Sequence, residues 1–341
     1  MSQINTISEF LLHAGTDYRV FDMARGIRPV NTQDFLEIES AQQPAPRPRQ
    51  QHTWFGILFF NKQASSEHYI WFVKLPLDEK GLVIEASRQQ FLQIVVNALG
   101  QSLDKQNNPN NQLPDNPFTF IPNQQQLADF NSVCRLSLNL PLSSHIETAT
   151  HYISSPEKQD WRNVPLQGIA DFCASLTHAK HATLFLKQFN ALATAMQIAL
   201  CSSLENHPIS TDASQLLIDW YRLHPSDEKR LQATLRALCQ SEDTEGVRSF
   251  IHSVLITETG KDPITLMLIA ARHWTYLTDN TLLPLYMERL ASCDIDTFTG
   301  LYSDLVQIPS TREKMLSVLR WPDKSPQLTQ AIGALFGQGT P

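Results

Sequence analysis

Residues 53–60 read Thr-Trp-Phe-Gly-Ile-Leu-Phe-Phe, and residues 69–75 read Tyr-Ile-Trp-Phe-Val-Lys-Leu, with a polar break from Asn61 to His68 between them. Aromatic and β-branched residues dominate both runs, as is typical of β-strands. Because both runs are apolar on both faces, we expect a pair of strands at the centre of a small sheet that is covered on both sides. The predicted core residues are Trp54, Phe55, Ile57, Phe59, Ile70, Phe72 and Val73.

The chain before this pair carries local signals for two helices and a strand. In order, they are a helix capped by Thr6 and ended at Gly15, a strand Tyr18–Met23, a break at Gly26 and Pro29, and a helix capped by Asn31 or Thr32. Glu9 follows Thr6 at the spacing of a capping box. These signals predict the order helix, strand, helix before the central pair.

The segments around the central pair are less regular. Three prolines with arginines between them make Gln42–Gln51 an extended surface connection. After the pair, Leu82–Ile84 is a candidate short strand, and Ser87 opens a helix that ends at Gly100. Phe118–Ile121 is interpreted either as a last strand of the sheet or as an anchor for the next domain.

A polar segment divides the chain. Residues 101–117 consist mostly of Gln, Asn, Asp and Pro, which bury too little apolar surface to offset the entropy lost on ordering. We therefore predict an α+β domain over residues 1–121 and an all-α domain over residues 122–341. A length of 341 residues suits two domains.

Apolar residues recur at helical spacing almost throughout the second half. Helix starts are expected at Asp212, Ser226, Asp243, Asp262, Asp279 or Asn280, and Ser310 with Glu313. Pairs of helices would then recur at roughly 33 to 36 residues, which is the period of stacked helical hairpins. An irregular helical bundle gives nearly the same spacing, so a solenoid and a bundle both remain open.

Composition narrows the class of protein. The formal net charge of −7 disfavours nucleic acid as a partner. The five cysteines are far apart and lie in apolar helical patterns, which is typical of reduced core residues in a cytoplasmic protein. No run approaches the roughly 18 apolar residues of a membrane span, so we expect no membrane insertion.

Several stretches resemble one bacterial family: Asn5–Leu12, Tyr18–Met23, Trp54–Ile57 and Trp71–Glu79. Together they are similar to the family catalogued as domain of unknown function 3549. That family is described by a Leu-Asp-Glu tripeptide, which corresponds here to Leu77, Asp78 and Glu79. The resemblance implies a bacterial cytoplasmic setting and supplies no activity, substrate or cofactor.

The tripeptide has three interpretations. Adjacent carboxylates after a strand can hold Mg²⁺ or act as a base, with Asp22 or His68 brought near by the sheet, in a metal-assisted hydrolase or phosphoesterase. Pro76–Gly81 also has the composition of a surface turn. We favour an interaction site, in which Leu77 fills an apolar pocket and the two acids set orientation, with Arg19 and Asp22 as further candidate binding residues.

Two other groups of residues have weaker functional interpretations. His178 and His181 on one predicted helix, with Cys173 nearby, match part of a Zn²⁺ site, although a solvated helix end is the commoner case. The arginines among the first fifty residues, with Tyr18 and Trp54, suggest a nucleic-acid surface. Arginines that pair with Asp17, Asp22 and Glu37 are the simpler explanation.

The sequence contains no glycine-rich phosphate loop, nucleophile elbow, His-Glu-x-x-His helix or dinucleotide fingerprint. We therefore assign no catalytic residue, metal or cofactor. The main expectation is a non-enzymatic protein that binds another protein through its helical half.

Overall fold

The computed structural model describes residues 4–61, 67–104 and 114–337. The chain forms two compact units. The first contains the chain up to Pro122 together with the later segment Val306–Arg312, and the second contains Asn123–Leu305 and the chain from Glu313 onward. Each unit is described by itself below.

The first unit is built on an antiparallel sheet. Its strands in the described residues are β1 Thr16–Asp22, β2 Arg28–Val30, β3 His52–Asn61 and β4 His68–Pro76, in the order β2-β1-β3-β4. Tyr18 pairs with Phe59, and Ile57 pairs with Trp71, so the predicted strands β3 and β4 form the centre and one side of the sheet. With the helical second unit, this sheet makes the chain an α+β protein, as predicted.

Three helices in the described part of the chain pack against this sheet, namely α1 Ile7–His13, α2 Thr32–Glu39 and α3 Glu85–Asp104. The capping box of Thr6 and Glu9 is confirmed, and Asn31 accepts a hydrogen bond from the Asp34 amide at 2.8 Å as the cap of α2. Gly15 follows α1 with φ of 74°, a backbone conformation that glycine adopts without steric cost. The local sequence signals therefore predicted these helix ends correctly.

Glu39 joins the two short helices. Its carboxylate is buried at the end of α2 and accepts hydrogen bonds from the amides of Ile7 at 2.6 Å and Ser8 at 3.0 Å. These amides lie in the first turn of α1, where backbone N–H groups have no partner within the helix. One side chain of α2 thus caps α1 from a distance of more than thirty residues in sequence.

The core of the first unit lies on one face of the sheet. Phe55, Ile57 and Val73 are fully buried there, as predicted, and pack with residues from all three helices, including Ile7, Leu11, Phe35, Ile38, Phe91 and Val95. Phe59 is partly buried against the same cluster. Trp54, Ile70 and Phe72 were wrongly assigned to it, because residues of even number on β3 and β4 point to the other face.

Several irregular segments differ from expectation. Gly26 lies in the loop that follows β1, as expected, but Pro29 does not break the chain, since Arg28–Val30 forms the edge strand β2, where the missing proline N–H is tolerated. The segment Gln42–Gln51 is not entirely at the surface, because the side chain of Ala45 is buried in the core. Helix α3 begins at Glu85, two residues before the expected Ser87, and continues past Gly100.

Two short candidate strands pair only locally. Val83 forms a single bridge with Leu77, and Thr119 forms a single bridge with Val73. The Lys74 amide donates to the Phe118 carbonyl at 2.8 Å, so residues 118–120 do return to the sheet beside β4. Of the expected linker, residues 101–104 are helical, and residues 105–113 lie outside the described residues.

Helices make up the second unit, as predicted. In chain order they are α4 Gln124–Ser137, α5 His145–Ser154, α6 Leu166–Ala174, α7 Ala179–Gln188, α8 Thr194–Leu204, α9 Thr211–Arg222, α10 Glu228–Ala237, α11 Thr244–Leu255, α12 Pro263–Arg272, α13 Leu282–Ala291, α14 Ile295–Gln307, α15 Pro309–Val318 and α16 Pro326–Gly337. The last residues of α14 and the first of α15 belong to the first unit.

Packing in the second unit follows two parallel series. Helices α4, α6, α8, α10 and α12 contact one another in succession, and α5, α7, α9, α11 and α13 do the same. Contacts between α5 and α6, α9 and α10, and α12 and α13 join the two series. Alternate helices therefore form two layers over α4 to α13.

The predicted starts of these helices are right in some cases and displaced in others. Asp243 and Asp262 are the caps of α11 and α12. Asp212 and Ser226 were wrong, because Ser210 and Asp227 are the caps of α9 and α10. Helix α13 begins at Leu282, with the carboxylate of the expected Asp279 accepting the amides of Thr281 and Leu282, and α15 begins at Pro309, one residue before the expected Ser310.

The cysteines are placed largely as expected. None forms a disulfide, and Cys134, Cys173 and Cys201 are buried, whereas Cys239 and Cys293 are half-buried. Burial raises the thiol pKa of Cys134 and Cys173 above the usual range, so these thiols stay protonated. In the described ranges, no helix has both the length and the apolar character required to cross a membrane.

Candidate interaction site at the Leu77 turn

Residues Leu77–Gly81, called the Leu77 turn below, reverse the chain after β4. The Asp78 carboxylate accepts hydrogen bonds from the amides of Lys80 and Leu82, each at 2.8 Å, and the Gly81 amide donates to the Asp78 carbonyl at 3.0 Å. Gly81 has φ of 83°, which favours glycine. An aspartate that binds its own downstream amides is a common turn device, so the turn itself accounts for Asp78.

Leu77 is only 7% exposed and packs in the core of the first unit. Its amide donates to the Gln51 carbonyl at 2.8 Å. The apolar residue of the tripeptide thus has a partner inside its own unit, whereas Asp78 and Glu79 are exposed. Whether the three residues bind another molecule remains a prediction.

A cleft of about 460 Å³ adjoins the Leu77 turn. Its charged lining comes from Asp78, Glu79, Lys80 and Arg312. Arg312 is held by its own segment, with Nε donating to the Val306 carbonyl at 3.0 Å. The cleft thus presents two exposed acids beside two bases, an arrangement of mixed charge.

The same cleft is held together by hydrogen bonds of the first unit. The backbone N–H of Gln51 donates to Gln307 Oε1 at 3.2 Å, and Arg312 Nη1 donates to the Lys80 carbonyl at 3.4 Å. These contacts attach the segment Val306–Arg312 to the Leu77 turn. Local sequence patterns could not predict this attachment, because the bonded residues are more than 230 positions apart in the chain.

The sheet does not bring the other proposed metal ligands to the Leu77 turn. His68 begins β4 and the turn follows its far end, so the nine residues of the strand place them about 27 Å apart. Asp22 lies on β1, two strands away, and does not line the cleft. The expected grouping of Asp22 or His68 with Asp78 and Glu79 is therefore wrong.

Asp22 has a different environment. Its carboxylate is buried, accepts the Ala24 amide at 2.9 Å, and lies 3.6 Å from Arg47 Nη1. Burial raises the pKa of Asp22 to about 6, although the nearby guanidinium groups of Arg47, Arg25 and Arg28 lower it. Arg19, three residues earlier on β1, faces the opposite side of the sheet and lies 3.9 Å from Asp17.

Several charged and aromatic side chains of the first unit contact one another within that unit. The Arg49 guanidinium and the Lys74 ammonium both lie over the Trp54 ring, at 5.3 Å and 5.4 Å from its centre. Tyr18 is buried in the core and therefore cannot stack on a base. Two of the expected acid partners are confirmed for Arg19 and Arg47, whereas Glu37 accepts a hydrogen bond from Gln33.

The histidine pair does not lie within one helix as expected. His178 is the residue before α7, His181 is in its first turn, and Cys173 belongs to α6. His181 Nδ1 bonds Ser175 Oγ at 2.7 Å, and Ser175 donates to the Phe172 carbonyl. Among the residues with described coordinates, no three His, Cys, Asp or Glu side chains are grouped to hold a metal ion.

A buried acid in the second unit was missed. Asp129 on α4 is fully buried and accepts hydrogen bonds from Ser203 at 2.5 Å, Asn206 at 2.8 Å and Gln125 at 3.0 Å. Burial raises its pKa to about 7. The sequence offered one signal for this buried acid, namely an aspartate next to Phe130 on the apolar face of a predicted helix.

The second unit carries a groove of about 760 Å³, called the helical groove below. Its apolar lining comes from Ile256 after α11, Pro263 on α12 and Leu285 on α13, and its polar lining comes from Lys261, Glu288, Arg289, Ser292, Cys293 and Gln327. Ile256 is 54% exposed, and Met267, further along α12, is 45% exposed. Because Pro263 and Met267 are four residues apart, they share a face of α12.

Comparison with known proteins identifies one family. The family model described as a protein of unknown function (DUF3549) matches residues 2–336, nearly the whole chain, which confirms the resemblance carried by the N-terminal stretches. No curated protein and no solved structure matches the chain.

Proposed function

The chain belongs to the DUF3549 family of proteins of unknown function, and from its own residues we propose that it is a non-enzymatic cytoplasmic adaptor. In this proposal the helical unit binds another protein. The two layers of alternating helices support it, because stacked helical hairpins present long continuous surfaces to partners.

The observation that carries the proposal is the helical groove. Ile256, which lines the groove with Pro263 and Leu285, is 54% exposed, and the charged residues Lys261, Glu288 and Arg289 line the same groove. Exposed apolar side chains bordered by polar residues commonly mark a protein interface. Single exposed residues such as Leu223 occur elsewhere and need no such explanation.

The test is a tagged purification from the native host with crosslinking, comparing three proteins. Met267→Glu places a charge on the face of α12 that carries Pro263 of the helical groove, and Leu223→Glu places the same charge at an exposed apolar position after α9. We expect a partner that copurifies with the wild type and with Leu223→Glu and is recovered at least tenfold less with Met267→Glu. Equal recovery with both variants, or recovery of the chain alone, contradicts the proposal. Thermal melting checks that both variants are folded.

A metal-assisted hydrolase or phosphoesterase is a second candidate, because Asp78 and Glu79 line a cleft of the first unit. One Asp78 oxygen already accepts two amides, which weakens it as a ligand. If this candidate is right, Mg²⁺ or Mn²⁺ raises the melting temperature of the wild type and has no effect on the Asp78→Asn, Glu79→Gln variant. The adaptor proposal requires no shift in either protein.

A further inference from the structure

A second pocket of the helical unit, called the Trp161 pocket below, has a volume of about 400 Å³. It is lined by residues from the end of α5, from the two single-turn helices Pro156–Lys158 and Trp161–Asn163, and from the connection between α7 and α8. It shares no lining residue with the helical groove. Its volume lies in the range of roughly 300 to 1,000 Å³ that is usual for ligand pockets.

Rings make up much of the apolar lining of the Trp161 pocket. They belong to Tyr152 on α5, to Pro156 and to Trp161, and the short side chains of Ala191 and Ala193 complete the apolar part. Trp161 is only half-buried, so part of its indole ring is open to solvent. Flat aromatic surface of this kind packs well against the pyrrolidine ring of proline.

Two hydrogen-bond donors of the Trp161 pocket are unused. Tyr152 is only 2% exposed, and its hydroxyl oxygen accepts the Ala193 amide at 3.3 Å, but its proton is donated to no described residue. Buried tyrosine hydroxyls normally find an acceptor. The indole Nε1–H of Trp161 is likewise donated to nothing in the part of the chain that the structure describes. The pocket therefore suits a ligand that is rich in acceptors.

The charged lining of the Trp161 pocket favours a cation. Arg162 Nη1 donates to the Asp160 carboxylate at 2.9 Å, so these two charges compensate each other. Glu157 is exposed and forms no ion pair with any residue of known position. The Arg162 guanidinium also lies 5.7 Å from the centre of the Trp161 ring, which shows that a cation can be placed over that ring.

A segment rich in proline satisfies these conditions together. Its carbonyl groups accept hydrogen bonds, and its prolines carry no N–H that would be left without a partner in the pocket. Such a segment already populates the extended polyproline II conformation, so ordering it on binding costs little entropy. A basic residue next to the prolines would supply the charge that Glu157 lacks.

We propose that the Trp161 pocket binds a proline-rich segment of a partner protein. Tyr152 and Trp161 donate to carbonyl groups of the segment, its prolines pack on the aromatic rings, and Glu157 pairs with an arginine or lysine beside them. This site is separate from the helical groove and does not depend on the function proposed for that groove.

The test is fluorescence anisotropy with three labelled synthetic peptides. The first is Pro-Pro-Pro-Arg-Pro-Pro-Pro, the second has alanine at every proline position, and the third has glutamate in place of arginine. We expect the wild type to bind the first peptide about tenfold more tightly than the second, because only the first is preorganised and carries proline rings. It should bind the first about threefold more tightly than the third, as expected for an exposed charge pair.

Variants of the chain locate the peptide. Trp161→Ala should weaken binding of the first peptide about tenfold, whereas Trp321→Ala, at a half-buried tryptophan outside the pocket, should leave it unchanged. Tyr152→Phe keeps the ring and removes the donor, so it should weaken binding about fivefold. Glu157→Gln should make the first and third peptides bind more nearly alike. Met267→Glu should have no effect, which distinguishes this pocket from the helical groove.

Three results would overturn the proposal. The first is equal affinity of the wild type for the proline and alanine peptides, or no binding of either below about 1 mM. The second is binding of the proline peptide that both Trp161→Ala and Tyr152→Phe retain at full strength, because the peptide then binds elsewhere. The third is equal affinity of the wild type for the arginine and glutamate peptides. Thermal melting checks folding, and the wild-type comparisons stand even where a variant does not fold.

Discussion

Leu77 lies in a core, whereas the two acids that follow it are exposed, so the three residues should contribute unequally to stability. Leu77→Ala removes a buried side chain and should lower the free energy of unfolding by about 2 to 5 kcal/mol. Asp78→Ala removes the acceptor of two amides and should lower it by about 1 to 3 kcal/mol. Glu79→Gln should change it by less than about 0.5 kcal/mol.

Urea unfolding of the three variants measures this order. If partner binding by the same variants is measured as well, the contribution of each residue to stability can be distinguished from its contribution to the predicted interaction site. A Glu79→Gln variant that loses more stability than Leu77→Ala would show that charge pairing governs this turn.

Asp129 should make stability depend on pH. Its pKa is about 7 in the folded chain and near 3.8 when unfolded, so between these values the folded state holds a proton that the unfolded state has lost. The free energy of unfolding therefore falls as pH rises through this window, by at most about 1.4 kcal/mol per pH unit.

Denaturation of the wild type and of Asp129→Asn between pH 4 and pH 8 isolates this effect. The variant should lose the part of the slope that Asp129 causes, and Asp219→Asn, at an exposed position of α9, should keep the wild-type slope. A slope that is identical in all three proteins contradicts the assignment to Asp129.

At the scale of elements, helix packing in the second unit depends on a glycine. A Cβ at Gly168 of α6 would lie 2.4 Å from the His145 carbonyl oxygen at the start of α5, and that backbone atom cannot move aside cheaply. Gly168→Ala should therefore force the two helices apart and lower the free energy of unfolding by about 1 to 3 kcal/mol.

Gly300 on α14 is the matched control for this substitution. A Cβ there would have no other atom within 4 Å. Gly300→Ala should therefore raise the free energy of unfolding by about 0.5 to 1 kcal/mol, since alanine loses less backbone entropy in a helix. Thermal denaturation of both variants decides the matter, and two changes of the same sign would contradict the packing argument.

Elements were predictable from sequence where their causes are local. Thr6, Asn31, Asp243 and Asp262 cap helices as expected, because each cap bonds an amide three residues away. The tripeptide turn was also identified from its composition. Glu39 could not be assigned its role, because its partners on α1 lie more than thirty residues earlier.

The candidate site was predictable only in part, for the same reason. The sequence pointed to Leu77, Asp78 and Glu79, but a leucine after a strand has no local sign of whether it faces a core or a partner. Arg312 and Gln307 reach the cleft from the far end of the chain. No periodicity near residue 77 indicates them.

At the scale of the whole molecule, the predicted division into domains is tested by limited proteolysis. Residues 101–117 have a composition that cannot form a core, and Lys105 is the one tryptic site among them. We expect the first tryptic cut after Lys105, giving fragments 1–105 and 106–341, as resolved by mass spectrometry. A first cut after Lys62, with the bond after Lys105 intact, contradicts the division.

The return of Val306–Arg312 to the first unit has a consequence for the time course of synthesis. A ribosome must add roughly 190 residues after Pro122 before Arg312 exists, which takes roughly 10 to 40 s at bacterial and eukaryotic elongation rates. During that interval the sheet and its helices can form, but the Lys80 carbonyl and the Gln51 amide wait for partners that have not yet been translated. The first unit, whose strands are synthesised first, therefore cannot be completed until most of the second unit has been translated.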